Sequence, residues 1–176
     1  MIFFRRDIVL LFIVSLLTFF NCKGQEPVIS KDSVTAEGIT FEWGVDSTSL
    51  NVTLRAETTG WIALGLDPSF AMKNANLIIG YVKEDSVYIR DDYGNAPTSH
   101  RSDISGGGVD NIINKSGTEE NGVTSISFSI PLNSGDSRDR PLEIGKSYTI
   151  LLAHGPDGAD DFTTHHKKRT SLKIKI

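Results

Sequence analysis

Apolar and polar residues alternate along most of this chain. In ITFEWGV, Ile39, Phe41 and Trp43 fall on one face, and in SLNVTLRAE the apolar positions 50, 52 and 54 do the same. A period of two is typical of strands with one buried face. Further runs of strand character are GWIALGL, NLIIGYV, SVYIRD, VTSISFSIPL, SYTILLAHG and TSLKIKI, with VDNIINKSG as a weaker candidate.

Turn-forming residues separate these runs, as in ETTG, SGGG, EENG and GPDGADD. No run repeats with the helical period of about 3.6 residues. Short strands with turn signals at intervals of roughly ten residues predict an all-β fold, an immunoglobulin-like antiparallel β-sandwich of about nine to eleven strands. Because neither a repeat nor a change in composition interrupts residues 33–176, we predict a single domain there.

The N-terminal residues have a different character. Arg5 and Arg6 precede an apolar run from Ile8 to Phe20, and Cys22 follows it. The run is shorter than the roughly 20 apolar residues of a membrane span, and its layout is that of a secretory signal. The position of the cysteine resembles the lipid-attachment site of bacterial lipoproteins. We therefore predict a lipoprotein signal peptide at 1–21, acylation of Cys22 and a tether at 22–32; the alternative is ordinary signal cleavage nearby.

Charge and cysteine content narrow the classes of function. Cys22 is the only cysteine, so a lipidated chain has no thiol left for a disulfide, and stability must come from a hydrophobic core. Without residues 1–21 the chain carries 16 basic and 21 acidic residues, a net charge of −5. A negative net charge argues against nucleic acid as a partner. We expect an exported protein held at the membrane of the cell envelope by its lipid, facing the periplasm or the cell surface.

From GWIALGLDPSFAMKNANLIIGYV onward the sequence resembles the DOMON domain, the β-sandwich module named for its place in dopamine β-monooxygenase. The matching features, in order, are Gly60-Trp61, Gly65, Met72, Ala75-Asn76, Ile79-Gly80-Tyr81 and Asp92-Tyr93. EENGVTSISFSIPL and YTILLAHGPDGADDFTTHH resemble the later segments of the family. The resemblance covers residues 33–176, essentially the whole predicted mature chain.

Some DOMON members resemble one-electron cytochromes that hold a b-type haem between a Met and a His, and this pair raises the reduction potential. The resemblance implies Met72 as one axial ligand and His165 as the other. His166 is the alternative, because neighbours in an extended strand point to opposite faces. Without a CxxCH motif the haem is held non-covalently. The expected pocket residues are Trp61, Phe70, Ile79, Tyr81, Tyr93 and His154, the last bonded to its turn or in contact with a propionate.

The competing hypothesis is a carbohydrate- or small-ligand-binding module without haem, in which Trp43, Trp61, Tyr88 and Tyr93 stack on the ligand. A metal site built from the histidines at 154, 165 and 166 and nearby aspartates is less favoured than a hydrophilic turn. We predict no metal beyond a haem iron. No catalytic constellation is present, so we expect an electron carrier or subunit rather than an enzyme, with a redox protein or a sugar as its partner.

Overall fold

The computed structural model describes residues 31–176, and this part of the chain is all-β, as predicted. It contains eleven strands and one short 3-10 turn (Ile104–Gly106). The strands are β1 Lys31–Ala36, β2 Ile39–Val45, β3 Ser49–Ala56, β4 Ile62–Leu66, β5 Asn76–Lys83, β6 Ser86–Ala96, β7 Ser99–Ser102, β8 Ile113–Glu120, β9 Val123–Pro131, β10 Ser147–His154 and β11 Lys168–Lys175.

The strands form two antiparallel sheets packed face to face, so the predicted sandwich is confirmed. One sheet has the order β1-β2-β3-β9-β8 and the other has β11-β10-β4-β5-β6-β7. Alternate residues of both sheets meet in one hydrophobic core. The predicted apolar face of β2 lies in this core, where the Trp43 ring stacks on Phe41 at 4.7 Å.

Two strands differ from the sequence prediction, and both lie at a sheet edge. β1 begins at Lys31, two residues inside the predicted tether, because Lys31 and Asp32 pair with β2. β7 has the polar sequence SHRS. Both strands are largely exposed, so neither carries the alternation that marks a half-buried strand.

The predicted signal peptide (1–21) and lipidation site (Cys22) lie outside the described residues, as does most of the predicted tether. Within 31–176 the structure contains no helix that is long and apolar enough to cross a membrane.

A second apolar cluster lies on the far side of the six-stranded sheet. We call this side the outer face, as opposed to the inner face that packs on the other sheet. Trp61, Ala63 and Ile79 form the cluster on the sheet, and Ala159 from the β10–β11 connection packs onto them. The β10–β11 connection covers this cluster, and an apolar cluster outside the main core makes the outer face the candidate location of a functional site.

Candidate functional site

The β4–β5 connection, residues 67–75, carries Met72, and we call it the Met loop. It is docked onto the end of β6: Asn74 donates to the Gly94 carbonyl at 2.7 Å, and Met72 donates to the Pro97 carbonyl at 3.2 Å. Gly94 permits this approach, because a Cβ there would overlap the Met72 carbonyl. The half-buried methionine is therefore held by backbone contacts against one end of the outer face.

The β10–β11 connection, residues 155–167, carries both candidate histidines, and we call it the His loop. The Asp161 carboxylate accepts bonds of 2.6 Å from the backbone N–H groups of Thr163 and Thr164 and from the Thr164 hydroxyl. These hydrogen bonds, that of the Thr164 hydroxyl foremost, hold the pKa of Asp161 below its ordinary value. The turn before His165 is thus fixed by its own side chains.

Trp61 connects this turn to the sheet. Its indole Nε1 donates to the Thr164 carbonyl at 3.1 Å, one residue before His165. The rings of His165 and His166 are both exposed, with centroids 6.4 Å apart and planes at 89°. The two side chains therefore diverge, as expected for neighbours in an extended segment.

The Met loop and the His loop flank opposite ends of β4. The Met loop begins after Leu66, whereas Ile62, four positions earlier, pairs with His154 just before the His loop. At about 3.4 Å per residue these ends lie roughly 14 Å apart. Ala63 and Gly65 form the outer face of β4 between them. Between the two loops, the side chains of Leu77 and Leu151 lie beside Gly65 on this face, so the surface there is apolar.

Aromatic rings fasten the His loop to the outer face. Phe162 lies 5.0 Å from the Tyr81 ring, and Tyr81 in turn stacks on Tyr88 at 5.0 Å. The guanidinium of Arg90 lies over the Phe162 ring, 4.3 Å from its centroid. Through this cation–π contact, Arg90 of β6 covers the edge of the cluster next to that strand.

Asp92 is fully buried next to this contact. Arg90 donates to its two carboxylate oxygens at 2.5 and 2.6 Å, and His100 Nδ1 lies 2.5 Å from one of them. Burial alone would raise the pKa of Asp92, but the hydrogen bonds from His100 and Arg90 and the positive charge of Arg90 outweigh it and lower the pKa. The carboxylate therefore stays charged and fixes Arg90 above Phe162.

Family comparison agrees with this architecture. Residues 35–155 match the DOMON domain. The chain belongs to the DOMON domain family. Among characterised relatives, DBH-like monooxygenase protein 2 of Mus musculus is 28% identical over 132 residues. That alignment covers 74% of this chain but only 19% of the mouse protein, so this chain corresponds to about a fifth of its relative.

Two solved structures share the fold seen here. The cytochrome b domain of pyranose dehydrogenase from Coprinopsis cinerea superposes with a TM-score of 0.61 at 13% identity, covering 84% of this chain and 81% of that one. The cytochrome domain of cellobiose dehydrogenase from Myriococcum thermophilum gives 0.58 at 13% identity, with 84% and 82% coverage. At such low identity the similarity establishes the fold.

The structure explains the Gly-Trp motif of this DOMON chain. A Cβ on Gly60 would overlap the Pro156 carbonyl, and a Cβ on Gly155 would lie 2.6 Å from the Trp61 indole nitrogen. The two glycines therefore let the His loop cross directly over Trp61. The motif positions the His loop, and through it His165.

Three of the six predicted pocket residues come together on the outer face, namely Trp61, Ile79 and Tyr81. Phe70 does not join them, because it is 71% exposed at a tight turn of the Met loop. Phe70 is thus separate from this cluster, and its contact with a bound ligand stays a prediction.

Tyr93 and His154 were also predicted to line the pocket, but both lie on the inner face of the sheet, opposite the outer face that carries the cluster. Tyr93 follows the outward-facing Asp92, so strand alternation turns it inward, where the Arg138 guanidinium covers its ring at 4.5 Å. His154 pairs with the core residue Ile62, is buried, and bonds through Nδ1 to the Gly155 carbonyl at 2.7 Å. The expected bond of His154 to its turn is present, but contact with the outer face is not.

Arg90, Asp92 and His100 were not predicted as part of the site. The available signal was the pair of opposite charges at positions 90 and 92, which share one face of a strand. The role of His100 depends on the pairing of β7 with β6, and the sequence of β7 does not reveal that pairing.

Proposed function

We propose that this DOMON domain binds a b-type haem non-covalently between the Met loop and the His loop and passes single electrons at the cell envelope. The observation that carries the proposal is the placement of Met72 and His165 on loops at opposite ends of one apolar surface. Axial ligands must approach iron from opposite sides, and thioether and neutral imidazole are both suited to haem iron. The cytochrome domains that share the fold add support.

The residues on the outer face suit a porphyrin. Ala63, Gly65 and Ala153 lie on adjacent strands, and with the leucine side chains of Leu77 and Leu151 beside Gly65 they form an apolar floor. A bound haem supplies reversible one-electron redox chemistry. The chain itself would supply two neutral ligands, exclude water with Trp61 and Ile79, and orient the His loop through Asp161.

Phe162 fastens the His loop onto Tyr81 beside this surface and keeps the proposed ligand loop close to the sheet.

Between the two histidines we favour His165 as the ligand, with His166 as the alternative. His165 directly follows the carbonyl that Trp61 holds on the outer face. His166 is one residue farther along, and its ring is turned about a right angle away.

The carbohydrate hypothesis receives less support from the structure. Stacking of sugars requires exposed aromatic faces, but Trp43 and Trp61 are buried and Tyr93 is covered by Arg138. Of the four aromatics predicted for stacking, only Tyr88 is exposed, at 45%.

Export and lipid anchoring through Cys22 remain part of the proposal, since the predicted signal peptide precedes the domain. Replacing Cys22 with Ser should move the protein from the membrane to the soluble fraction. Retention of the variant in the membrane fraction would contradict the anchor. A redox partner protein at the envelope follows from the proposed electron transfer.

The haem proposal is tested by titrating the full chain with haemin and recording visible spectra of the oxidised and dithionite-reduced protein. We expect a sharp Soret band and resolved α and β bands on reduction. Met72→Ala should abolish this six-coordinate low-spin spectrum. Phe70→Ala, in the same loop but exposed, is the matched control and should leave it unchanged.

Single replacements of His165 and His166 by Ala assign the second ligand, because only one of them should abolish the spectrum. A smeared haemin spectrum in the unaltered protein would refute haem binding. An unchanged spectrum in Met72→Ala would refute the methionine ligand alone.

A further inference from the structure

Three aspartates converge on the inner side of the β6–β7 end of the sheet. Asp91 belongs to β6, Asp103 follows β7, and Asp139 belongs to the β9–β10 connection. One carboxylate oxygen from each lies within 4.8 Å of the other two. This cluster is separate from the proposed haem surface, since Asp91 and Asp92 point to opposite faces of β6.

The carboxylates of this cluster are buried without protein partners. Asp103 is 0% exposed, and neither of its oxygens has a hydrogen-bond partner among residues 31–176. In the same part of the chain, one oxygen of Asp91 and one of Asp139 also lack a partner. Buried polar atoms in native proteins are nearly always paired, so unpartnered oxygens that face one another indicate a missing ligand.

Among residues 31–176 no lysine or arginine forms an ion pair with the three aspartates, although the charge of Arg138 lowers the pKa of Asp103. Arg138 stacks on Tyr93 and donates to the Gly106 carbonyl at 2.8 Å, and Lys115 binds Asp110 at 2.7 Å. Burial foremost, with repulsion from the neighbouring acids, raises the pKa of Asp91 to about 8 and that of Asp103 to about 7. Burial likewise raises the pKa of Asp139. Without a counter-ion, the carboxylates would have to retain protons near neutral pH.

The surrounding loops hold the acids together despite this repulsion. The Asp103 carbonyl accepts hydrogen bonds from Gly106 and Gly108 at 2.9 and 2.8 Å. Asp136 joins the two loops by accepting a bond of 2.6 Å from the backbone of Val109. Backbone bonds thus fix the segments around the cluster, as a preformed site requires.

Asn111 lies at the edge of the cluster and holds two of its segments together. Its backbone N–H donates to Asp91 at 3.0 Å. The end of its side-chain amide lies 3.0 Å from an Asp139 carboxylate oxygen and 3.3 Å from the Val109 carbonyl. The amide nitrogen faces these two acceptors and donates to both.

We propose that Asp91, Asp103 and Asp139 bind a Ca²⁺ ion. The donor set contains only oxygen, which favours a hard cation over zinc and other metals that take nitrogen and sulfur ligands. Ca²⁺ accepts roughly six to eight oxygens, including amide and backbone carbonyl groups, in irregular geometry. Mg²⁺ requires a near-octahedral shell and keeps several waters, which suits a fully buried carboxylate less well.

The test uses the full chain after treatment with a chelator, titrated with CaCl₂ by calorimetry and by thermal unfolding. We expect one Ca²⁺ per chain, a rise in Tm on binding, and weaker binding of Mg²⁺. Asp103→Asn should weaken Ca²⁺ binding by about tenfold or more, because charge count sets affinity in such sites. Asp85→Asn is the matched control, since Asp85 is an exposed turn residue whose φ of 59° Asn tolerates.

Asp139→Asn, at the half-buried rim, provides a second variant if Asp103→Asn does not fold, and it should weaken Ca²⁺ binding in the same direction. No binding to the unaltered protein at Ca²⁺ concentrations on the order of 1 mM would overturn the proposal. Equal affinity in the Asp139→Asn or Asp103→Asn variant and the Asp85→Asn control would also overturn it, as would tighter binding of Mg²⁺.

Discussion

Gly94→Ala isolates the docking of the Met loop from every other feature of the site. The added Cβ would lie 2.5 Å from the Met72 carbonyl carbon and overlap its oxygen, so the loop must withdraw. The φ of Gly94 is not in the left-handed region, so an alanine there brings no backbone strain of its own. The effect should therefore come from contact alone.

The magnitude follows from the bonds that withdrawal breaks. Three backbone hydrogen bonds hold the loop on β6 and the following turn: Asn74 to Gly94, Gly94 to Ala75, and Met72 to Pro97. At a net contribution of about 1 kcal/mol each, their loss lowers the free energy of unfolding by about 3 kcal/mol. Haemin added to the variant should give a spectrum without the methionine ligand, although Met72 is still present.

Urea denaturation measures the free energy of unfolding, and Gly122→Ala is the control. Gly122 lies in an open turn with a φ of 77°, and an alanine Cβ there would have no neighbouring atom within 4 Å. Alanine at this position therefore costs only about 1 kcal/mol of backbone strain. If Gly94→Ala destabilises the protein no more than Gly122→Ala, or leaves the haemin spectrum unchanged, the assigned docking of the Met loop is refuted.

Two further predictions concern the aspartate cluster and the His loop. Burial raises the pKa of Asp91 to about 8 and that of Asp103 to about 7, above the ordinary 3.8. In chelator, the free energy of unfolding should therefore be highest at low pH, where both acids are protonated, and should fall as the pH rises through 7 and 8. Urea denaturation between pH 5 and pH 8.5, with and without Ca²⁺, measures this loss, and Ca²⁺ should abolish it. Trp61→Phe removes the indole donor to Thr164, and the loss of about 1 kcal/mol should raise the Kd for haemin about fivefold.

A different result would contradict each of these two predictions. A free energy of unfolding that stays constant or rises with pH in chelator would show that the acids are not held protonated by burial. For the haemin affinity, Trp43→Phe is the matched control. The Trp43 indole also donates to a backbone carbonyl, that of Lys175 at 3.2 Å, but Trp43 lies in the core and away from the outer face. Equal haemin affinities in the two Trp→Phe variants would contradict the role of Trp61.

The sequence predicted the central strands well because burial selects their residues. β2, β3 and β9 each bury alternate side chains in the core, so hydrophobic alternation reports them directly. The edge strands β1 and β7 lack this signal: backbone hydrogen bonds to β2 and β6 hold them in place, and such bonds form with polar side chains as readily as with apolar ones. Their positions therefore could not be derived from a hydrophobic pattern.

The site was predictable only in part, for a related reason. The family motifs located the Met loop and the His loop, but the face to which a strand residue points depends on the strand's register. This is why Tyr93 and His154, near the site in sequence, lie on the inner face of the sheet, opposite the site. The aspartate cluster escaped prediction because its members come from three separate segments without a ligand motif, and only the folded chain brings them together.

The alternation along β6 gives this one strand two different environments. Arg90 and Asp92 face outward and fix the aromatic contacts of the His loop, whereas Asp91 and Tyr93 face inward to the carboxylate cluster. Two residues farther along, Gly94 forms backbone hydrogen bonds with the Met loop. Because Asp103 also donates from its backbone to the Asp91 carbonyl at 3.0 Å, a cation at the cluster would brace the strand end on which the Met loop is docked. The two proposed sites are thus chemically independent, but they share the strand that positions both.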